Sequence, residues 1–194
     1  SSPETAKAVN VVARWLSYLA IGSLFGGLLV TALVWGEGVE YVLTLRFLRT
    51  TWVVAVLATV LNMACSRAIA AEASLAGSFN PATWTDLTDD LAGLAMLGRF
   101  VLVLASAWVV FGPERAVDEA TQIPALLAPA VAVVTFGFTR AADGIDLLLT
   151  PASIIHVLGF AAWFGGLVIL WRVVLAGSGE QDLVDAVRGF GRIA

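Results

Sequence analysis

The sequence predicts an all-α polytopic membrane bundle of about five transmembrane helices plus a C-terminal amphipathic helix, and three observations carry that expectation. Of the 194 residues, 59% are apolar, counting Tyr and Cys, and only 13% are charged; soluble domains average about 45–50% and about 25%. Mean hydropathy is +0.90, so lipid is the solvent this chain is built for. The apolar residues recur in long runs along the whole chain and are apolar on every face, whereas barrel strands alternate. At about 100–200 residues per domain, residues 1–194 read as a single transmembrane helical domain.

A bilayer core of about 30 Å takes about 20 helical residues, and five stretches meet or approach that length: 11–35, 51–71, 91–111, 123–139 and 152–176. The first is interrupted only by Arg14, the second carries Arg67 near its end, and the third holds Arg99. The fourth contains Pro124 and Pro129 and should kink. Thr150 can cap the fifth, with Pro151 in its first turn, where no amide hydrogen is missed. Between the second and third spans, Asn80-Pro81 reads as the cap and first residue of a short helix. Trp84 and Leu87 would rest that helix on the membrane surface, with Asp86, Asp89 and Asp90 in water; the alternative is a solvated acidic loop. After a turn at Gly177–Gly179, residues 179–194 place Leu183, Val184, Val187, Phe190 and Ile193 at helical spacing, as an amphipathic helix or the start of a further span.

Orientation follows from the cationic residues. Arg46, Arg49, Arg115, Arg172, Arg188 and Arg192 fall on one side, and Lys7, Arg14, Arg67 and Arg140 on the other. The bias puts the N-terminus outside the plasma (inner) membrane. Trp35, Trp52, Trp108 and Trp171 all fall at helix ends on the cytoplasmic side, where an aromatic belt would sit.

Composition also excludes function classes. A retinal protein needs a lysine within a helix, but the only lysine, Lys7, precedes the first span; bis-histidine haem needs two His, and there is one. No Asp or Glu lies within any of the five spans, which argues against a proton relay, and no nucleophile–base pair or carboxylate dyad suggests an enzyme. A formal charge of −4 gives nucleic acid nothing to bind.

What remains polar or polarizable in the spans is Arg99, Asn62 and His156, with Met63, Cys65 and Met96. With the N-terminus outside, the sole His, the sole Cys and both Met residues fall in the outer half of the membrane. Imidazole, thiolate and thioether suit Cu(I), which makes His156, Met96, Met63 and Cys65 candidate copper ligands. Each also has a plain reading. Cys65 and Met63 serve equally as packing residues, positions 63 and 65 are about 200° apart on a helix, and His156 can be an interfacial hydrogen-bonding residue. Arg99 needs a carbonyl, an anion or water at its depth. His156, Gly159, Phe160 and Trp163 share one face, so Trp163 would floor any cavity below His156. The small-residue pairs Gly22/Gly26, Ser23/Gly27, Ala161/Gly165 and Ala162/Gly166 read as helix-packing seams.

Several of these segments resemble one known family. The run Pro151-Ala-Ser-Ile-Ile-His156 with Ala-Ala-Trp163-Phe-Gly165-Gly166-Leu is similar to the His-containing helix of the copper resistance D family. Arg14-Trp15-Leu-Ser-Tyr with Gly26-Gly27-Leu resembles its opening helix. Gly98-Arg99 resembles a middle helix, and Arg188-Gly-Phe190-Gly-Arg192-Ile-Ala the lead into its next span. The resemblance implies a multi-pass inner-membrane protein that moves copper ions, works with a periplasmic or extracellular copper-binding protein, and uses His156 and Arg99 as its helix histidine and intramembrane arginine. The family continues for about three more helices, so the chain is expected to be a fragment or a reduced member needing partner copies or subunits. The competing expectation is a structural or assembly subunit through which no ion passes.

Overall fold

A computed structural model describes residues 3–72, 74–138, 149–174 and 188–191. Among the described residues, six α-helices of four residues or more run in chain order: α1 (Pro3–Leu33), α2 (Val42–Ala70), α3 (Leu91–Ala105), α4 (Ala107–Val110), α5 (Gln122–Val134) and α6 (Leu149–Ile169). Short 3-10 segments join or extend them, and among the described residues there is no strand. Four stretches are long and apolar enough to cross a membrane, Thr5–Leu33, Val42–Ala70, Leu91–Val110 and Leu149–Arg172, and Gln122–Phe138 is a shorter apolar helix. The all-helical membrane bundle is as the sequence predicts.

The helices outrun the apolar runs. α1 begins at Pro3 and α2 at Val42, about two turns before the hydropathy rises, because hydropathy marks what contacts lipid and not where the backbone hydrogen bonds begin. The third span is broken where apolar patterning shows nothing: Ser106, between α3 and α4, donates its hydroxyl back to Leu102 O at 2.8 Å, a bond that competes with the helical ladder. In α5, Pro124 lies in the first turn, where the missing N–H costs no bond. Pro129 lies buried inside the helix, which tightens to a 3-10 turn over Thr135–Phe138. The described part of α6 is already helical at Leu149, so Thr150 lies within the first described turn and does not act as the cap.

Side-chain pairings fix the directions. Asn62 Nδ2 donates to Asn10 Oδ1 at 2.8 Å and Ser17 bonds Thr59 at 3.1 Å, so α1 and α2 are antiparallel. Trp52 Nε1 donates to Val103 O at 2.7 Å, and Arg99 Nε donates to Thr135 Oγ1 at 2.8 Å, so α3 reverses α2 and α5 reverses α3. Gly22 meets Ala161 and Gly26 meets Gly165, so α6 runs parallel to α1. The five spans thus alternate in direction. Helix α1 is central and packs on α2, α5 and α6; its stretch Ala20–Leu28 is buried throughout. Ile21, Phe25, Ala55, Val103, Val133 and Ala161 form one core cluster, and Leu24, Leu28, Leu48, Val109 and Val110 another.

The loop before α3 departs from expectation in part. Asn80 caps as expected, its side chain accepting from Ala82 N at 3.1 Å, and Pro81 opens a 3-10 helix, Pro81–Asp89. Trp84 is half-buried: it donates to Ser78 O at 3.0 Å and stands edge-on to Phe100 of α3, centroids 5.9 Å apart. Asp90 caps α3, accepting from Gly93 N. The tryptophan belt is halved. Trp108 and Trp171 are exposed, but Trp35 is only 6% exposed and Trp52 is an interhelical hydrogen-bond donor. Arg140, the Gly177–Gly179 turn and most of the 179–194 helix lie outside the described residues. Within it, Arg188–Phe190 is helical, and the Phe190 ring covers Gly166 and joins Val30, Trp35, Ile169 and Leu170.

Candidate functional site

The site grows from the way α1 and α6 meet. At Gly22–Ala161 and Gly26–Gly165 the two backbones nearly touch; a Cβ built on Gly165 would stand 2.8 Å from Gly26 Cα. One turn toward the start of α1, Tyr18 stacks on Phe160, the residue before Ala161, with ring centroids 5.5 Å apart. There the helices make room for a cavity of about 520 Å³. From α1 it is lined by Arg14, Trp15 and Tyr18; from the 3-10 turn by Phe136 and Gly137; and from α6 by residues that include Ser153 and His156. Tyr18 meets Phe136 edge-on at 5.0 Å and closes the inner wall with it. The cavity lies in the range of small-molecule sites, about 300–1,000 Å³.

His156 is exposed and lines this cavity, five residues beyond the exposed Pro151 in α6. Trp163, two turns further on, is 49% exposed and is not among the cavity's lining residues; the floor is Tyr18 and Phe136. Seven residues fall only about 20° short of two full turns, so Trp163 keeps nearly the same face but lies about 10.5 Å further along the axis, with Phe160 standing next to it on the His156 side.

Arg99 is 1% exposed. Besides its bond to Thr135, its guanidinium lies 3.5 Å from the centroid of the Phe136 ring, a cation–π contact of the kind worth about 2 kcal/mol or more when desolvated. Its Nη2 is buried without a hydrogen-bond partner. Arg99 therefore stands behind the cavity's aromatic wall. Thr135 passes the network on, donating to Ala132 O at 2.6 Å.

Asn62, Met63 and Cys65 lie together near the end of α2 and are buried, the last two completely. Segment Gly77–Phe79 and the Pro81–Asp89 helix pack on this end of α2, which is why four consecutive residues, 62–65, are all covered. Asn62 is engaged with Asn10. Met96 is half-buried on α3, one turn before Arg99. The pairings Asn10–Asn62, Arg99–Thr135 and Tyr18–Phe136 place all these residues and His156 at one end of the bundle. The structure does not bring them to one point: Met63, Cys65 and Met96 do not line the cavity that holds His156. Among the described residues no group of three or more His, Cys, Asp or Glu could hold a metal ion.

Phe136 is a site residue that sequence reasoning did not single out, and Arg14, Tyr18 and Ser153 stood only within the segments that carry the family resemblance. Local spacing held half of the signal, since Arg14 and Tyr18 are i, i+4 and Ser153 and His156 are i, i+3, so each pair shares a helix face. Nothing local joins the two pairs or adds Phe136.

The family model that matches the chain is that of the copper resistance protein D-like N-terminal domain, over residues 5–140. No curated protein and no solved structure matches. The matched stretch contains Arg14, Asn62, Met63, Cys65, Met96 and Arg99; α6 and His156 follow it.

Proposed function

From its membership of the copper resistance protein D-like family, we propose that this membrane protein moves copper ions across the plasma membrane, with its N-terminus external. The observation that supports this most is the gathering of His156, Met63, Cys65 and Met96 at one end of a bundle whose family is associated with copper resistance. In this reading His156 is the first protein ligand, because its imidazole alone of the four lines the cavity between α1, the Thr135–Phe138 turn and α6. Met96 on α3 and Met63 and Cys65 on α2 supply softer, more fully buried ligands at the same end of the bundle, the α2 pair under the loop that packs on that helix. Sealed thioether and thiol groups favour Cu(I) over harder ions. Copper is cargo here, and the reading is of a carrier without bond chemistry. A periplasmic or extracellular copper-binding protein would deliver the ion at the His156 end.

The reading is tested by thermal unfolding of the purified chain in detergent. Cu(I) at tenfold excess over its Kd should stabilise by about 1.4 kcal/mol, a Tm rise of about 3–6 °C. The rise should vanish in His156→Ala. No rise in the folded wild-type protein contradicts the proposal.

A second reading, a structural or assembly subunit through which no ion passes, is favoured by the separation of the soft residues and the tight glycine seam between α1 and α6. Under it, His156→Ala leaves cellular copper unchanged while substitutions at Gly165 disturb complex formation.

A further inference from the structure

The charge lining of the cavity carries an inference separate from copper. Four polar side chains face it, Arg14, Tyr18, Ser153 and His156, and among the described residues no Asp or Glu lines it. Arg14 has no carboxylate partner among the described residues. Behind the Phe136 wall stands a second cation, Arg99, desolvated and with Nη2 unpartnered. A bare cation is opposed by this arrangement, and a purely apolar molecule would leave the guanidinium unsatisfied. An anion with several acceptor oxygens satisfies it: guanidinium binds phosphate through two parallel N–H···O bonds, and the hydroxyls of Tyr18 and Ser153 and the imidazole of His156 can donate to the remaining oxygens. The rim, by contrast, is apolar. Trp15 is 56% and Leu149 68% exposed, suited to the glycerol and acyl parts of an amphiphile.

We propose that the cavity between α1, the Thr135–Phe138 turn and α6 is a binding site for a phosphoryl anion, held by Arg14 with Tyr18, Ser153 and His156. The phosphoryl group can belong to an anionic phospholipid headgroup or to free phosphate. Bound there, it would neutralise the charge that otherwise stands against a copper ion at His156, but the site is defined without copper.

The test is run on the full chain, copper-free, so that its failure leaves the copper reading standing. Tm is measured in neutral-detergent micelles alone, in the same micelles with phosphatidylglycerol, or in the same micelles with inorganic phosphate. The expected result is a rise of about 5 °C or more with near-saturating phosphoryl ligand. A rise with phosphatidylglycerol alone identifies the lipid as the source, and a rise with inorganic phosphate as well identifies the free anion. The gain should be lost in Arg14→Gln and in Ser153→Trp, which fills the cavity from α6 while leaving Arg14 in place. It should persist in Arg46→Gln, at the opposite end of the bundle. If Arg14→Gln does not fold, Ser153→Trp decides. Equal Tm in all three mixtures overturns the proposal, as does a gain that survives in the folded cavity variants.

Discussion

Arg99 shows how a charged side chain is held inside an apolar bundle where, among the described residues, no carboxylate pairs with it. Its support is one hydroxyl, Thr135 Oγ1 at 2.8 Å, and one ring face, Phe136. Removing the acceptor and removing the charge should therefore differ. Thr135→Val leaves a buried guanidinium short of its sole hydrogen-bond acceptor among the described residues, and should cost about 1–3 kcal/mol. Thr135→Ser keeps the acceptor and should stay close to wild type. Arg99→Met removes the unsatisfied group together with its desolvation cost and should fall within about 1 kcal/mol of wild type. Chemical denaturation in detergent, with the double variant completing the cycle, measures all of these. That Arg99 needed a partner was legible in its sequence position; that the partner would be Thr135 and a phenyl ring was not, because it depends on how the end of α5 tightens into a 3-10 turn.

At the scale of elements, the seam between α1 and α6 sets the shape of the site. The sequence shows it plainly, since Gly and Ala at four-residue spacing in both spans predict a close approach. The structure then distinguishes glycines that the motif alone cannot. A Cβ on Gly26 would stand 2.7 Å from Gly165 Cα, whereas a Cβ on Gly98 or Gly159 would meet nothing within 4 Å. Gly26→Ala and Gly165→Ala should each destabilise by about 1–3 kcal/mol through forced backbone shifts. Gly98→Ala and Gly159→Ala should be neutral or stabilise by about 0.5–1 kcal/mol, because alanine loses less freedom in a helix. Thermal unfolding of the four variants side by side checks the sign of each. If the seam also opens the cavity, Gly26→Ala should weaken the response to phosphoryl ligand more than Gly98→Ala.

Over the whole molecule, the spans were readable because each is a long run with no charged face, a pattern that only lipid or a core can solvate. The alternating directions followed from the number of spans. The cavity was not readable. It joins residues 14–18, 136 and 153–157, and that meeting depends on α6 running parallel to α1, a tertiary fact. Placing the soft residues at one end was within reach of the sequence; their separation into a cavity-facing imidazole and a sealed pair on α2 was not, since the loop that covers α2 is irregular. The claim that joins these scales is that the His156 end receives copper. It is tested most directly by reconstituting the protein into vesicles that enclose a Cu(I)-chelating dye, and following dye response to external Cu(I). The account predicts saturable uptake by the wild-type protein, reduced at least tenfold in His156→Ala, a loss equivalent to about 1.4 kcal/mol. Uptake no faster than in protein-free vesicles, with the helical fold intact by circular dichroism, would contradict it.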